Sequence, residues 1–252
     1  MTPLELLGLI CIFAVVRVVI SLRPAPATTA GTSAEAPNGR PSTTVVIREY
    51  LDAFIVAGLV ALFLITFVVR TFFIPSGSME PTLQIHDVLL VNEFEYRISQ
   101  PHDEDIVVFP PPIPTSNDFI KRLMGSPGET FSIRAGVVFR NNKPLVEPYI
   151  AEKPIYDLEI RNYGIYVDGV ALDPTMANIP PKDQWTFGPD RIPPNCYFMM
   201  GDNRNNSEDS HIWGFAQVRG NFASGPEKGK PGRFTGHAFL LFWPLDRIRI
   251  LK

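Results

Sequence analysis

Two serines in a forced turn, one lysine in an apolar strand and one polar loop are the residues of this chain whose types and spacing could do chemistry. Ser76 and Ser78 lie in Pro75-Ser-Gly-Ser-Met79, followed by Pro81-Thr-Leu83. Pro75 and Gly77 bracket Ser76, so the backbone must turn, and Gly77 can take dihedrals or a close approach that a side chain would forbid. A hydroxyl presented at such a corner becomes a nucleophile only when a base takes its proton. The same composition also makes an ordinary surface turn. None of the four histidines, His86, His102, His211 and His237, is an obvious base. Lys121, in Phe119-Ile-Lys-Arg-Leu-Met124, is a candidate. Period-2 alternation puts it on one strand face with Phe119 and Leu123, among apolar neighbours. A free lysine is charged at pH 7; neutralising it takes a pKa depression of roughly 3.4, or about 4.6 kcal/mol, which burial can supply. A solvated Lys-Arg pair at a strand end is the alternative.

The polar loop is Gly201-Asp-Asn-Arg-Asn-Asn-Ser-Glu-Asp-Ser-His211. It holds more polar groups than a turn needs. Asp202 and Asp209 offer partners for Arg204, and Ser207 offers a hydroxyl that could orient a neutral amine without adding charge. A loop closed by its own Asn and Asp caps is the other reading.

These residues need elements to hold them. The run Leu4–Leu22 is apolar apart from Glu5, Arg17 and Ser21, long enough to cross a bilayer core of about 30 Å. Arg17 is costly there unless it snorkels. A cleaved signal peptide fits poorly, because no basic region precedes the apolar run. Residues 23–50 begin with a Pro-, Ala-, Thr- and Ser-rich linker, and residues 51–70 form a second apolar span. Arg23, Arg40 and Arg48 in the loop, with no Lys or Arg before the first span, put the loop in the cytoplasm and both termini outside.

From residue 71 to 252 the pattern is all-β. Val88–Val91, Asp105–Phe109, Thr130–Arg134, Gly136–Phe139 and Cys196–Met200 are short apolar runs punctuated by Asn, Pro, Gly and Asp. The reading is two N-terminal transmembrane helices followed by a mostly-β domain of antiparallel, barrel-like sheets, with a looser inserted lobe over about 147–194. Asn221–Arg233, rich in Gly, Pro and Lys, reads as a mobile loop.

The hydrophobic fraction is 45%, the charged fraction 19% and the net charge −3. Nothing here suits a nucleic-acid partner. Cys11 and Cys196 are too differently placed to predict a disulfide, and no metal-ligand spacing is present, so no metal and no cofactor are expected.

Taken together, Pro75-Ser-Gly-Ser-Met79, Pro81-Thr-Leu83, Asp105-Ile-Val-Val-Phe109, Ile120-Lys-Arg122, Gly125-x-Pro-Gly128, Gly201-Asp-Asn-Arg204 and Ser207-x-Asp-Ser210 resemble the bacterial type I signal peptidases. These are membrane-bound serine proteases with a Ser-Lys dyad. The resemblance implies Ser78 as nucleophile and Lys121 as general base. It implies an oxyanion hole from the Ser76 hydroxyl and the Ser78 N–H, Ser207 orienting the lysine, and Asp202, Arg204 and Asp209 bracing the site. It implies cleavage of signal peptides from exported preproteins after Ala-x-Ala, with Phe72, Ile74, Met79, Leu83 and Ile120 walling shallow pockets. The partners implied are signal peptides and the lipid bilayer, with Trp213, Phe215 and Trp243 as candidates for its interface; plain core packing is the alternative for each and the preferred reading for Trp243. Two positions depart from the family pattern: His211 stands where arginine is usual, and Glu104 where glycine is common. A related soluble protease and a catalytically silent peptide-binding module are the alternatives.

Overall fold

The computed structural model describes residues 3–22, 43–115, 117–174, 177–217 and 234–251. Most of the expected linker and the Asn221–Arg233 loop lie outside the described residues. The chain divides into two units, Met1–Val69 and Arg70–Lys252.

The first unit is a pair of packed helices, α1 (Pro3–Leu22) and α2 (Thr43–Phe67). The second starts eight residues before the expected span, because no glycine or proline interrupts Thr43–Tyr50. Arg17 is not left alone: its Nε donates to Asp52 Oδ1 at 2.7 Å and its Nη2 to Oδ2 at 3.2 Å. Both expected spans are helical, but among the described residues no helix is long and apolar enough to cross a membrane.

The second unit is mostly β. Its strands are β1 (Val69–Phe73), β2 (Val88–Asn92), β3 (Ile106–Phe109), β4 (Phe119–Gly125), β5 (Phe131–Arg134), β6 (Val137–Arg140) and β7 (Lys143–Pro144). They continue with β8 (Leu158–Arg161), β9 (Gly164–Val167), β10 (Val170–Ala171), β11 (Cys196–Met200), β12 (Ala216–Gln217), β13 (Gly236–Trp243) and β14 (Arg249–Ile250). Every run read as a strand from its apolar pattern is one. An eight-stranded sheet has the order β1-β2-β13-β3-β4-β11-β12, with β14 on β13. A six-stranded sheet has the order β10-β9-β8-β5-β6-β7.

The second sheet is a chain of hairpins whose turns follow from their residues. Arg134 pairs with Val137, Arg140 with Lys143, Arg161 with Gly164 and Val167 with Val170, leaving two-residue loops. Their central pairs, Ala135-Gly136, Asn141-Asn142, Asn162-Tyr163 and Asp168-Gly169, all have positive φ. That is the type I′ geometry whose twist matches paired strands, and Gly, Asn and Asp adopt it at least cost. The sheet starts at Phe131, upstream of the expected lobe, because β5 and β6 belong to it.

The first sheet carries the candidate site. β4 is its central strand there, paired with β3 through Val107↔Lys121 and with β11 through Met200↔Arg122. Leu123 and Phe119 pack with Val107, Phe109 and Met199, whereas Ile120 packs on the cluster of Ile74, Met79, Leu83 and Leu89. Trp213 and Phe215, expected as interface residues, are instead core at 3% and 0% exposure. Trp213 packs on Phe109, and Phe215 on Trp185 and Phe198. Trp243, for which core packing is the preferred expectation, is instead half exposed.

Candidate active site

The serine turn is held from both sides. Ile74 N–H donates to Asp87 O and His86 N–H to Ile74 O, both at 2.9 Å, which fixes the chain entering Pro75. Gly77–Met79 then form a single 3₁₀ turn, with Met79 buried beneath it. Gly77 has no positive φ, and a Cβ there would lie 3.1 Å from the Glu80 carboxyl carbon, a close contact with the movable end of a side chain.

Lys121 projects from β4 into this turn, and its Nζ donates to Ser78 Oγ at 2.8 Å. The lysine is 4% exposed. Burial pulls its pKa down to about 8, while the carboxylates of Asp209, Glu208 and Asp202 hold it up against a further fall. The Phe119 ring lies 5.6 Å from Nζ and forms part of the low-dielectric surroundings.

The polar loop after β11 closes over the turn. Asn203 N–H donates to Ser78 O at 3.1 Å, and Asn203 Nδ2 to Gly77 O at 3.0 Å. Gly201 lies so near that a Cβ there would fall 2.3 Å from both Ser78 O and Ser207 Oγ. Asp209 is fully buried; its Oδ2 accepts from Gly201 N–H at 2.9 Å and its Oδ1 lies 2.6 Å from His211 Nδ1. His211 also stacks on Tyr156, ring centroids 4.6 Å apart. The imidazole thus occupies the side of Asp209 where the resemblance would put an arginine. Ser207 Oγ is buried with no hydrogen-bond partner among the described residues.

The expected partners of Arg204 are corrected. Asp202 is taken by Arg122, Nε to Oδ1 at 2.9 Å and Nη2 to Oδ2 at 2.8 Å, both side chains fully buried. Arg204 turns away and donates through Nη2 to Glu147 Oε1 at 2.6 Å. Tyr149 lies between, its ring 3.9 Å from the Arg122 guanidinium and 6.0 Å from that of Arg204. Burial opposes the Arg122 charge, but the hydrogen bonds and charge of Asp202 outweigh it and raise its pKa. Each cation is matched by a carboxylate, as buried charges require.

Glu104 stands where the backbone suits glycine. Its φ is +72°, a left-handed conformation that glycine adopts freely, and its carbonyl accepts from Arg122 Nη1 at 2.8 Å. The side chain reaches Arg140 at 3.4 Å.

A cleft of about 830 Å³ opens beside the pair. Phe72, Ile74, Met79 and Ile120 line it together with Ser76, Ser78 and Lys121. Leu83, expected in its wall, is not there: it is wholly buried in the core under the turn, where Leu83 N–H bonds to Met79 O. Among the described residues no group of three His, Cys, Asp or Glu could hold a metal ion. Cys196 is core, and burial pushes its thiol up to about 12.

Glu147, Tyr149 and Asn203 were not singled out from the sequence. The first two belong to the proline-rich lobe and nothing local marks them. Asn203 stands inside the polar loop, where its neighbours could have drawn attention to it.

The profile of the family described as signal peptidase, peptidase S26 matches residues 47–222. A protein named probable signal peptidase I-2 from Synechocystis is 35% identical over 78% of this chain and 73% of its own length. Probable signal peptidase I-1 of the same organism is also 35% identical, over 82% of this chain and 88% of its own. A Staphylococcus aureus protein named inactive signal peptidase IA is 28% identical over 67% of this chain and 83% of its own. With a serine and a buried lysine in hydrogen-bond contact beside a cleft, and a match over most of the chain, this protein belongs to the signal peptidase family, peptidase S26, a family of serine endopeptidases.

Proposed function

We propose that the chain is a membrane-bound endopeptidase that removes signal peptides from exported preproteins, with Ser78 as nucleophile and Lys121 as general base. The observation that carries this reading is the 2.8 Å hydrogen bond from a buried Lys121 to Ser78 Oγ. With its pKa near 8, a usable fraction of the amine is neutral at physiological pH. Neutral Nζ takes the Ser78 proton as Oγ attacks the scissile carbonyl carbon. The resulting oxyanion is met by the Ser78 N–H and the Ser76 hydroxyl, each such donor typically worth about 2.7–4 kcal/mol in the transition state. Lys121 then returns the proton to the departing amine nitrogen, leaving Ser78 acylated. A water attacks the ester and gives its proton to the same amine; the acyl–Oγ bond then breaks as Lys121 returns that proton to Ser78 Oγ, which frees the signal peptide's C-terminal carboxyl group and restores the serine and the neutral amine. Ser207 supplies the hydroxyl that orients Nζ when the serine is acylated. Asp202, Arg204 and Asp209 brace the loop.

The walls of Phe72, Ile74, Met79 and Ile120 support a preference for small residues, as in Ala-x-Ala. Anchoring is supported by the outward face of the helix pair, where Ile12, Val15, Val18, Phe54, Val56 and Phe63 are each more than half exposed. Such a surface is unfavourable in water. Lipid would cover it, with the β unit on the extracytoplasmic side. Protease added to intact spheroplasts should digest the β unit; protection would reverse the orientation.

A preprotein with an Ala-x-Ala site is the test of the chemistry. Cleavage should occur after the second alanine, rise about tenfold per pH unit below about 8 and level above it, and vanish in Ser78→Ala and Lys121→Ala. Cleavage that survives in Lys121→Ala moves the base elsewhere. The second reading, a silent peptide-binding module, draws on the relative named inactive. Against it stands the buried lysine, which lowers stability and has no use in a silent module.

A further inference from the structure

Charge is unevenly distributed around the cleft. Among the described lining residues the charged ones are Asp118, Lys121 and Glu208. Asp118 precedes β4, and its Oδ2 accepts from Thr235 Oγ1 at 2.8 Å, which holds the carboxylate in place. Glu208 stands in the polar loop between Ser207 and Asp209, exposed, and its charge is felt by the Lys121 amine. The other polar lining groups, Ser76, Ser78, Thr115, Asn117 and Asn206, are neutral. Until attack begins, Lys121 must be uncharged to serve as the base. The cleft then presents two negative charges, with no positive charge among the described lining residues.

We infer that Asp118 and Glu208 are specificity-determining residues, which make the cleft select neutral or cationic substrate segments and reject acidic ones. The inference rests on the proposed peptidase reading and deepens it. In an Ala-x-Ala segment the two alanines fill the small pockets. Selection therefore acts on the side chains those pockets do not take: the middle residue x and the first residue after the cut. An acidic side chain there meets like charges within a partly desolvated cleft, whereas lysine meets opposite ones. Cleavage also creates a new α-ammonium at the first residue after the cut, to which the same carboxylates are complementary.

The test uses the full chain in detergent and three peptides identical except for Lys, Gln or Glu at one of those two positions. For the wild type kcat/KM should fall in the order Lys, Gln, Glu, with roughly a five- to tenfold span at low salt that narrows at 0.5 M salt. Glu208→Gln and Asp118→Asn should each narrow the span, and together bring it near unity. Glu208→Lys should reverse the order, an outcome that a loss of folding cannot imitate. Equal cleavage of the three peptides by the wild type, or an order that Glu208→Lys leaves unchanged, would overturn the inference while leaving the peptidase reading intact. Failure to cleave even the Gln peptide would remove the peptidase reading and this inference with it.

Discussion

Lys121 is a residue whose chemistry opposes its stability. A fall from 10.5 to about 8, at about 1.4 kcal/mol per pH unit, is about 3 kcal/mol of unfavourable burial when the amine is charged. The folded state binds fewer protons than the unfolded chain between pH 8 and 10.5, so stability rises with pH across that window. The penalty is fully present below the lower value. Replacing Lys121 by methionine removes it at the loss of one hydrogen bond worth about 1 kcal/mol. Denaturant unfolding at pH 7 should therefore find Lys121→Met about 2 kcal/mol more stable than wild type, with the gap closing as pH approaches 10.5. Glu147 predicts the opposite. It neutralises a buried Arg204 at 2.6 Å, and Glu147→Ala should lower stability by about 3–5 kcal/mol, read from the same unfolding curves. The two residues also differ in how legible they were. Lys121 announced itself by standing charged in an apolar strand, whereas Glu147 pairs with a residue 57 positions away, and no local pattern encodes so distant a contact.

At the scale of elements, the turns are the parts most directly written in the sequence. The apolar runs that became β2 to β6 and β11 were readable because burial and period-2 alternation are local properties. The pairing order was not readable, since it depends on which distant strand fills each place. Gly201 exemplifies the difference. As a letter it is a turn former; in the fold it is a point where the polar loop touches the serine turn so closely that a Cβ would fall 2.3 Å from Ser78 O. Gly201→Ala should push Ser78 from Lys121, and a displacement of even 1 Å is expected to cost about 100-fold in kcat. A peptide-cleavage assay alongside a thermal melt would separate that loss from unfolding. In the second sheet, Asn142 sits at φ +60°. A β-branched residue is strained there, so Asn142→Val should cost about 1–2 kcal/mol in an unfolding titration, without altering cleavage of a peptide.

At the scale of the whole molecule, the helix pair illustrates what composition reveals and what it leaves open. Two apolar segments were plain, and both are helices. Less visible was that Arg17, awkward in any apolar span, would meet Asp52 at 2.7 Å. The reach of the second helix back to Thr43 was also unmarked, because its first residues, Thr43 to Ile47, are β-branched and weak helix formers. The β unit adds a feature of timing. β13, near the C-terminus, lies between β2 and β3, pairing Ala238 with Val91 and His237 with Val107. Contacts of such sequence separation form late, whereas the two-residue hairpins of the second sheet form early. A chain ending before Gly236 should accordingly keep hairpin protection in hydrogen exchange yet show no cleavage. The sheet that brings Ser78 to Lys121 thus waits for a strand that follows the serine turn, the lysine strand and the polar loop in the chain. A copy that has not yet added β13 already holds every residue of the candidate site and still lacks the site.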